Sequence, residues 1–464
     1  MSLALILLTS CSFDASGPAG LAPTKPDLGP VGDKSVPTLD VENFCAAQPC
    51  PFGCDSEEKR CLRLLPSNFD PRPLYDQATT DLVLSSSDQV LIDTTSGTIE
   101  VGGEFLQQSM PLITQLGVEG YRARLLALNS LTITADTVVK VTGSHPLILY
   151  ARDSITIMGL LDASADGVVP GPGGRQGGVG DSDVELDHGE ICGWGSRTGG
   201  EGNGGKLMKA FSTDLTTDGG GGGGGWGSRG ASGGPGGPCT FGFIVVTVAG
   251  AGGGGDAVGN DENYALSPLL GGCGAGAGGG PDPGTALVAD PIRLGGNGGG
   301  GGGALQLSAG TRITMAATAI ITVGGGGGEP GGDLAGGGGG GSGGSILMEA
   351  PTLDINGVLA ANGGGGGAGG SALQDVRAAG GEDGGSSNVA ANGGTIPPGI
   401  VFGGYGGDGA AADGDAHVGF GGPGVCNAGG GGGGVGSIVL ISSTVPANVP
   451  ASPTPTLLFQ LQTW

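Results

Sequence analysis

Positive charge is scarce in this sequence. Its 464 residues include 18 lysines and arginines against 43 aspartates and glutamates, a formal net charge of −25, and they contain no basic run. Proteins that bind nucleic acid contact phosphates through clustered lysines and arginines. A nucleic-acid partner is therefore disfavoured, and so is direct binding to an anionic membrane surface.

Histidine is also scarce, and the sequence has no phosphate-loop motif. The three histidines, His145, His188 and His417, complete no catalytic or metal-binding motif. Glycine runs are frequent, but the phosphate-loop pattern G-x-x-x-x-G-K-[ST] is absent, and Lys206 is followed by Leu207 instead of Ser or Thr. We therefore expect no cofactor and no metal.

What is abundant is glycine. Of the 111 glycines, all but 12 lie between Gly167 and Gly436. The runs have no strict Gly-X-Y period, which excludes collagen. Disordered chains are usually rich in charge, whereas this chain has only 13% charged residues and a mean hydropathy of +0.13. Composition thus indicates a glycine-dominated structural or surface protein.

Three acidic patches are candidates for calcium binding, at residues 180–190, 255–263 and 413–417. In the first, carboxylates alternate with other residues at Asp181, Asp183, Glu185 and Asp187. Calcium requires several oxygen ligands on a flexible loop. Neither an EF-hand pattern nor a calcium-binding nonapeptide repeat is present, so solvated surface loops are the preferred interpretation.

The N-terminal sequence MSLALILLTSCSFD indicates a lipid anchor. An apolar run ends in Leu8-Thr9-Ser10-Cys11, which resembles the lipobox of bacterial lipoproteins. The pattern predicts a signal peptide over residues 1–10 and lipidation of Cys11, although a basic segment is missing and the apolar run is short. Residues 11–44 then read as a Pro/Gly/Ser-rich tether. The expected location is the outer membrane, either periplasmic or surface-exposed.

The remaining eight cysteines, an even number, suit an oxidising compartment. Four form a predicted cysteine-rich knot over residues 45–61, and four are dispersed among the glycines. Zinc is the alternative for the knot, but its spacing lacks the paired C-x-x-C of a zinc ribbon. We expect disulfides within the knot and within the glycine-rich region, formed by Cys45, Cys50, Cys54, Cys61, Cys192, Cys239, Cys273 and Cys426.

An internal repeat predicts the fold. In the segment 131–143, residues 131–142 align without a gap on residues 313–324, and shorter copies occur at 155–167 and 353–363. A second apolar strand precedes each copy, and a further copy of that leading strand occupies 438–444. Short repeated strands that cannot bury their own apolar face are typical of a β-solenoid. The predicted fold class is therefore all-β, a right-handed parallel β-solenoid.

The solenoid is expected over residues 131–445, after leading strands at 62–130 and before a C-terminal tail at 446–464. Long glycine-rich excursions at 168–304, 325–345 and 364–437 interrupt it. They are either floppy loops, because ordering glycine costs much backbone entropy, or an ordered array of extended helices with three residues per turn. Three features favour the ordered array: the excursions start from neighbouring coils and are therefore already stacked, they carry four cysteines that could pin them, and they carry buriable residues such as Phe241 and Trp226.

No carboxylate cluster emerges from the repeat. Asp136, Asp162 and Asp354 lie in repeat copies but at different positions of the alignment. Enzymes with a β-helix fold that act on carbohydrates place two or three carboxylates on one face. We therefore predict no catalytic residue and no enzyme activity.

The segments CLRLLPSN, LIDTTSGTIEV, PLILYARDSITIMGLLDASADG and GGGSGGSILMEAPTLDINGVLAANGGGGG resemble glycine-rich surface lipoproteins of myxobacteria and related bacteria. This resemblance implies a surface location and an elongated β architecture, and no established activity. In composition alone, the glycine runs are similar to polyglycine-II bundles of phage adhesins. The expected function is a lipid-anchored structural or adhesive protein that contacts a cell-surface glycan or protein. The alternative is a polysaccharide-binding or polysaccharide-cleaving β-helix protein.

Overall fold

The computed structural model describes the strands, the glycine-rich segments and most of their connections. The described residues are 54–55, 60–61, 63–85, 89–106, 108–116, 119–180, 207–209, 216–237, 240–241, 244–245, 252–257, 266–280, 294–333, 335–370, 378–398, 403–421, 425–444, 448–459 and 463. The predicted signal peptide, tether and first part of the knot lie outside them.

Strands are the only regular secondary structure among the described residues. In chain order they are β1 (Cys54–Asp55), β2 (Arg60–Cys61), β3 (Asp81–Leu84), β4 (Val90–Asp93), β5 (Thr98–Val101), β6 (Glu104–Leu106), β7 (Leu112–Thr114), β8 (Arg122–Ile133), β9 (Val138–Thr142), β10 (Leu147–Ile157), β11 (Leu160–Asp162), β12 (Leu207–Lys209), β13 (Thr216–Asp218), β14 (Thr240–Phe241), β15 (Ile244–Val245), β16 (Ala304–Ala309), β17 (Arg312–Met315), β18 (Ile320–Thr322), β19 (Ser345–Glu349), β20 (Thr352–Ile355), β21 (Val358–Ala360), β22 (Ser437–Ile441), β23 (Ala451–Ser452) and β24 (Thr456–Leu458).

Two sheets contain most of these strands. The large sheet has ten strands in the order β20-β17-β10-β16-β19-β22-β24, with β8 paired to β10, β3 and β7. The second sheet has eight strands in the order β23-β21-β18-β11-β9-β4-β5-β6. Pairing is parallel except for β7–β8 in the large sheet and for β4–β5 and β5–β6 in the second. Three separate pairs complete the set: β1–β2, β12–β13 and β14–β15.

The prediction of a parallel β-solenoid is wrong. The described strands form two sheets, and the larger one is like the sheet of an α/β protein, since long crossovers join its parallel strands. No helix occupies a crossover within the described part of the chain. A uniform coil is precluded by crossovers as long as residues 163–303 and by antiparallel pairs at one end of the second sheet. Residues 451–458, within the predicted tail, supply β23 and β24 to the sheets.

The sequence repeat corresponds to the strand register of the sheets. Leu131, Ile155, Ile313 and Leu353 lie opposite one another on four neighbouring strands. All four are buried, because they occupy the same face at the period of two that a strand imposes. The repeat thus specified which residues pair, although it did not specify the fold class.

One core lies between the sheets, and it includes Leu149, Leu307 and Met348 from the large sheet and Val141 and Ile321 from the second. The middle strands of the large sheet are buried on both faces, which explains apolar runs such as LILYA and SILME. A smaller core covers their other face.

In that smaller core, Ile148, Tyr150 and Leu347 pack against Phe69 and Leu269. The rings of Phe69 and Tyr150 meet edge to face, with centroids 5.3 Å apart. Segments 63–80 and 266–270 therefore seal the outer side of the large sheet.

The described glycine-rich segments between residues 171 and 436, which we call the glycine array, are hydrogen-bonded side by side. In segment 336–344, successive backbone N–H groups point in three directions. Positions three apart donate to the same neighbour, at N···O distances of 2.8–3.0 Å. The three acceptor segments are 273–279, 323–329 and 428–434.

The carbonyl oxygens of the same segment accept from other neighbours, among them segments 221–224, 296–302 and 364–367. This period of three is that of an extended polyproline-II-type helix, which has no internal hydrogen bonds. Segment 336–344 therefore satisfies all of its backbone N–H groups, and all its carbonyl groups except that of Gly343, through its neighbours.

The array continues the large sheet. Segments 295–303, 336–344 and 428–436 lead directly into the adjacent strands β16, β19 and β22. An extended three-residue helix rises about 3.1 Å per residue, close to about 3.3 Å for a parallel strand. The register of the strands therefore carries over into the glycine segments.

Close approach explains why these segments contain glycine. A Cβ atom built on Gly340 would overlap the carbonyl oxygen of Gly364, and one on Gly433 would overlap that of Gly341. The neighbouring atoms are backbone and cannot move aside as a flexible side chain would. Only glycine fits where two segments touch.

Candidate functional site

A pocket of about 430 Å³ opens within the glycine array. This volume lies within the range of about 300–1,000 Å³ that is usual for small-molecule sites. We call it the array pocket; its lining residues are Ala379, Gly380, Glu382, Asn392, Gly393, Gly394, Thr395, Tyr405, Gly406 and Asp408.

Three segments build the pocket: 378–385, 391–395 and 403–409. Their backbones are paired: the N–H groups of Ala379 and Glu382 donate to the carbonyls of Thr395 and Asn392. The third segment is held in the same way, since Gly406 N–H donates to the Gly394 carbonyl at 2.9 Å. At three residues per turn, side chains three positions apart lie on one side of a segment. The paired backbones thus fix the position and direction from which each lining side chain projects.

A fourth segment, 417–421, runs antiparallel to 403–409 and forms two rows of side chains. In one row, the rings of Tyr405 and Phe420 meet at 63° with centroids 6.2 Å apart. In the other, His417 Nδ1 lies 3.0 Å from Asp408 Oδ2. Backbone hydrogen bonds from Phe420 to Tyr405 and from His417 to Asp408 hold these rows in register.

Backbone contacts orient the polar side chains of the pocket. Glu382 Oε2 accepts from Asn392 N–H at 3.2 Å and from Asn392 Nδ2 at 2.8 Å. Asp408 Oδ1 accepts from Gly393 N–H at 2.8 Å. Glu382 Oε1, Asn392 Oδ1 and the hydroxyls of Thr395 and Tyr405 have no hydrogen-bond partner among the described residues, so they are available to a ligand.

The lining side chains can bind a ligand through hydrogen bonds and charge. The lining contains no Ser or Cys nucleophile, and its two carboxylates give it negative charge. Within the described part of the chain, no group of three or more His, Cys, Asp or Glu side chains is placed to hold a metal ion. The pocket offers hydrogen-bond acceptors, two hydroxyls and an aromatic ring to a small ligand.

Glu349 is the centre of a second polar cluster, and its own side chain is buried. Its carboxylate accepts from the Ser67 N–H at 3.1 Å, from Gln306 Nε2 at 2.8 Å and from Ser308 Oγ at 2.8 Å, as well as from the Ser67 hydroxyl. Burial raises the pKa of Glu349, and the hydrogen bonds from Ser67, Ser308 and Gln306 oppose this shift. The cluster joins segment 63–80 to the large sheet: Glu349, Gln306 and Ser308 are buried, and Ser67 is half-buried.

The structure describes four of the predicted disulfide cysteines. Cys273 and Cys426 are buried, and each is disulfide-bonded. Cys54 and Cys61 lie opposite each other in the antiparallel pair β1–β2, so the described part of the knot is a hairpin. Cys11, Cys45, Cys50, Cys192 and Cys239 lie outside the described residues.

The two histidines that the structure describes, His145 and His417, lie in different surroundings. His145 accompanies Ser144, with Nδ1 and Oγ 2.9 Å apart, and burial followed by the nearby Arg124 charge lowers the pKa of its ring. His417 lies in segment 417–421, beside the array pocket, although no sequence motif indicated a role for it. His188 lies outside the described residues.

The acidic patches are only partly described. In the patch 413–417, Asp413 accepts from the N–H and the hydroxyl of Thr454. In the patch 255–263, Asp256 pairs with Arg229 at 3.4 Å. Residues 181–190 lie outside the described part, so the alternating carboxylates of the first patch stay a prediction.

The carboxylates of the repeat copies serve local structure. Asp162 pairs with Lys140 at 2.8 Å, and Asp354 accepts from Asn356 at 2.9 Å. Asp136 occupies a turn with a φ of 63°.

Comparisons with family models, with curated proteins and with solved structures find no match for this chain. A search of the described residues finds no helix with the length and apolar character needed to cross a bilayer.

Sequence reasoning missed Glu382, Asn392 and Tyr405. A signal was present, because Tyr405 and Asp408 are separated by two glycines, and His417 and Phe420 have the same spacing. In a helix with three residues per turn, this spacing puts both side chains on one side. Which segments face each other across the pocket depends on long-range pairing, which the spacing does not reveal.

Proposed function

We propose that this chain is a lipid-anchored protein of the bacterial outer membrane, with a structural or adhesive role at the cell surface and without catalytic activity. The observation that supports this best is the glycine array. Segment 336–344 is hydrogen-bonded to neighbouring segments on several sides. Such bonding makes the array stiff, and a stiff array can present a fixed binding surface at the outside of a cell.

The sequence supports the same proposal. Leu8-Thr9-Ser10-Cys11 matches the pattern of a lipidation site, and acyl chains contribute about 0.8 kcal/mol per buried CH₂ to membrane anchoring. The disulfide bonds at Cys273 and Cys426 suit an oxidising compartment. The resemblance to glycine-rich surface lipoproteins is consistent with both points.

The test combines labelling with surface digestion in a bacterial host. The protein should incorporate fatty acid and partition with membranes, and the Cys11→Ser variant should do neither. Protease added to intact cells should cleave the wild-type chain. A chain that carries no acyl label and distributes like Cys11→Ser would contradict the anchor, and resistance on intact cells that ends on outer-membrane lysis would contradict the surface location.

A further inference from the structure

We propose that the array pocket binds a hydroxyl-rich sugar ring that carries no negative charge. This inference rests on the proposed surface function and names the class of ligand that such a protein would take. The binding site consists of Glu382, Asn392, Thr395, Tyr405 and Asp408.

The aromatic side chains provide the apolar contact. Tyr405 is 50% exposed and Phe420 beside it is 55% exposed, although both are large apolar groups. Sugar rings have faces made of C–H groups, which pack on aromatic rings, while their edges are polar. Tyr405 lines the pocket, so its half-exposed aromatic ring and its hydroxyl are both within reach of a ligand there.

The polar side chains provide directed hydrogen bonds. Glu382 Oε1 and Asn392 Oδ1 can accept from sugar hydroxyls, and the hydroxyls of Thr395 and Tyr405 can donate or accept. The Glu382 and Asn392 side chains are already held by each other and by backbone N–H at 2.8–3.2 Å. Little side-chain freedom is therefore lost when a ligand binds, which favours affinity.

The glycines provide the shape. Gly393, Gly394 and Gly406 line the pocket without side chains, so a flat ring can approach the backbone closely. A Cβ at Gly394 would overlap the carbonyl oxygen of Ala379, and one at Gly406 that of Gly366. The segments beneath the pocket are therefore packed and unable to collapse into it.

The charge selects against acidic sugars. Glu382 and Asp408 both line the pocket, whereas His417, whose Nδ1 lies 3.0 Å from Asp408 Oδ2, is not among the lining residues. The net charge of −25 adds a repulsive field for anions. Neutral hexoses, N-acetylhexosamines and amine-bearing sugars meet no such repulsion.

The test measures binding of the full chain, solubilised in detergent, to immobilised oligosaccharides ending in a neutral hexose, an N-acetylhexosamine, an amine-bearing hexosamine or an acidic sugar. Titration calorimetry with the best ligand then compares Tyr405→Ala, Tyr405→Phe and the control Phe105→Ala. Phe105 is an exposed aromatic residue of β6, far from the array in sequence and outside the pocket. Circular dichroism melting of each variant checks that the fold is kept.

We expect binding to one or more of the uncharged or amine-bearing sugars, without added divalent cation. Tyr405→Ala should weaken it about five- to tenfold, as loss of an aromatic contact does. Tyr405→Phe, which keeps the ring, should weaken it less, and Phe105→Ala should leave it unchanged. Binding only to acidic sugars, binding that requires calcium, equal affinity in Tyr405→Ala, or no binding would overturn the proposal. A protein on the cell surface that binds no sugar would refute this inference alone, whereas absence of the anchor would refute the proposed function.

Discussion

The two sheets and the glycine array solve the same problem in opposite ways. The sheets bury side chains: Leu149, Leu307 and Met348 fill a core between them. The array buries backbone: segment 336–344 has almost no side chains, yet its residues are fully buried and each N–H finds a carbonyl in another segment. Apolar burial stabilises the first region, and hydrogen bonding with close backbone contact stabilises the second.

The two regions also differ in how far each can be stable by itself. A hydrogen bond contributes about 0.5–1.5 kcal/mol net, while ordering one residue costs about 1–2 kcal/mol, and more for glycine. A glycine array is therefore marginal by itself and depends on being tethered at many points. The strands β16, β19 and β22 supply those tethers in register. Burial of apolar side chains between the sheets provides the driving force for folding. The array adds a stiff surface that has no core of apolar side chains.

The largest effect is expected from a charge in the core. Ile355 is 2% exposed and lies opposite Met315 in the large sheet. Ile355→Asp buries a carboxylate without a partner, so we expect the folded protein to be lost. Soluble yield and the cooperative melting transition measure this. The control is Asp354→Asn, on the exposed face of the same strand, which should melt like the wild type. A soluble Ile355→Asp with an unchanged melting temperature would contradict the described core.

A smaller but distinct effect is expected from a side chain in the array. A Cβ at Gly365 would overlap the carbonyl oxygen of Asn392, whereas Gly385 is exposed and has no atom within 4 Å of its Cβ position. Gly365→Val should separate two segments and lower the free energy of unfolding by about 1–3 kcal/mol. Gly385→Val should change it by less than about 0.5 kcal/mol. Chemical denaturation of both variants gives the comparison, and equal stability of the two would refute close packing at Gly365.

The smallest effect concerns pH. Because burial raises the pKa of Glu349, its carboxyl binds a proton more strongly in the folded chain than in the unfolded one. The resulting stabilisation is complete below the unfolded pKa and is lost as pH rises through the folded pKa. Glu349→Gln stays neutral, so its unfolding free energy should fall less than that of the wild type over this window. Parallel pH profiles for wild type and Glu349→Gln would contradict the shift.

Strand positions could be predicted from the sequence because alternation and the repeat are local signals. Leu131, Ile155, Ile313 and Leu353 were placed on equivalent strands by alignment alone. The fold class could not be predicted in this way. The repeat shows which strands are equivalent, but it does not reveal that they belong to two separate sheets or that antiparallel pairs occur in both. Glycine runs carry still less information, since Gly340 and Gly385 look alike until their neighbours are known. For the same reason, the sequence marked Tyr405 and Asp408 only as side chains three apart, without the segments that complete the pocket.

Amide hydrogen exchange tests the account most directly, because it reports on each backbone N–H separately. The amides of residues 336–344 should exchange slowly, with protection comparable to that of β19, into which this segment leads. Gly385, exposed at the edge of the array, should exchange faster and serves as the internal reference. Slow exchange throughout 336–344 is the result that a hydrogen-bonded array predicts. Rapid exchange there, while β19 remains protected, would show that the sheets fold without an ordered glycine array and would contradict the central claim.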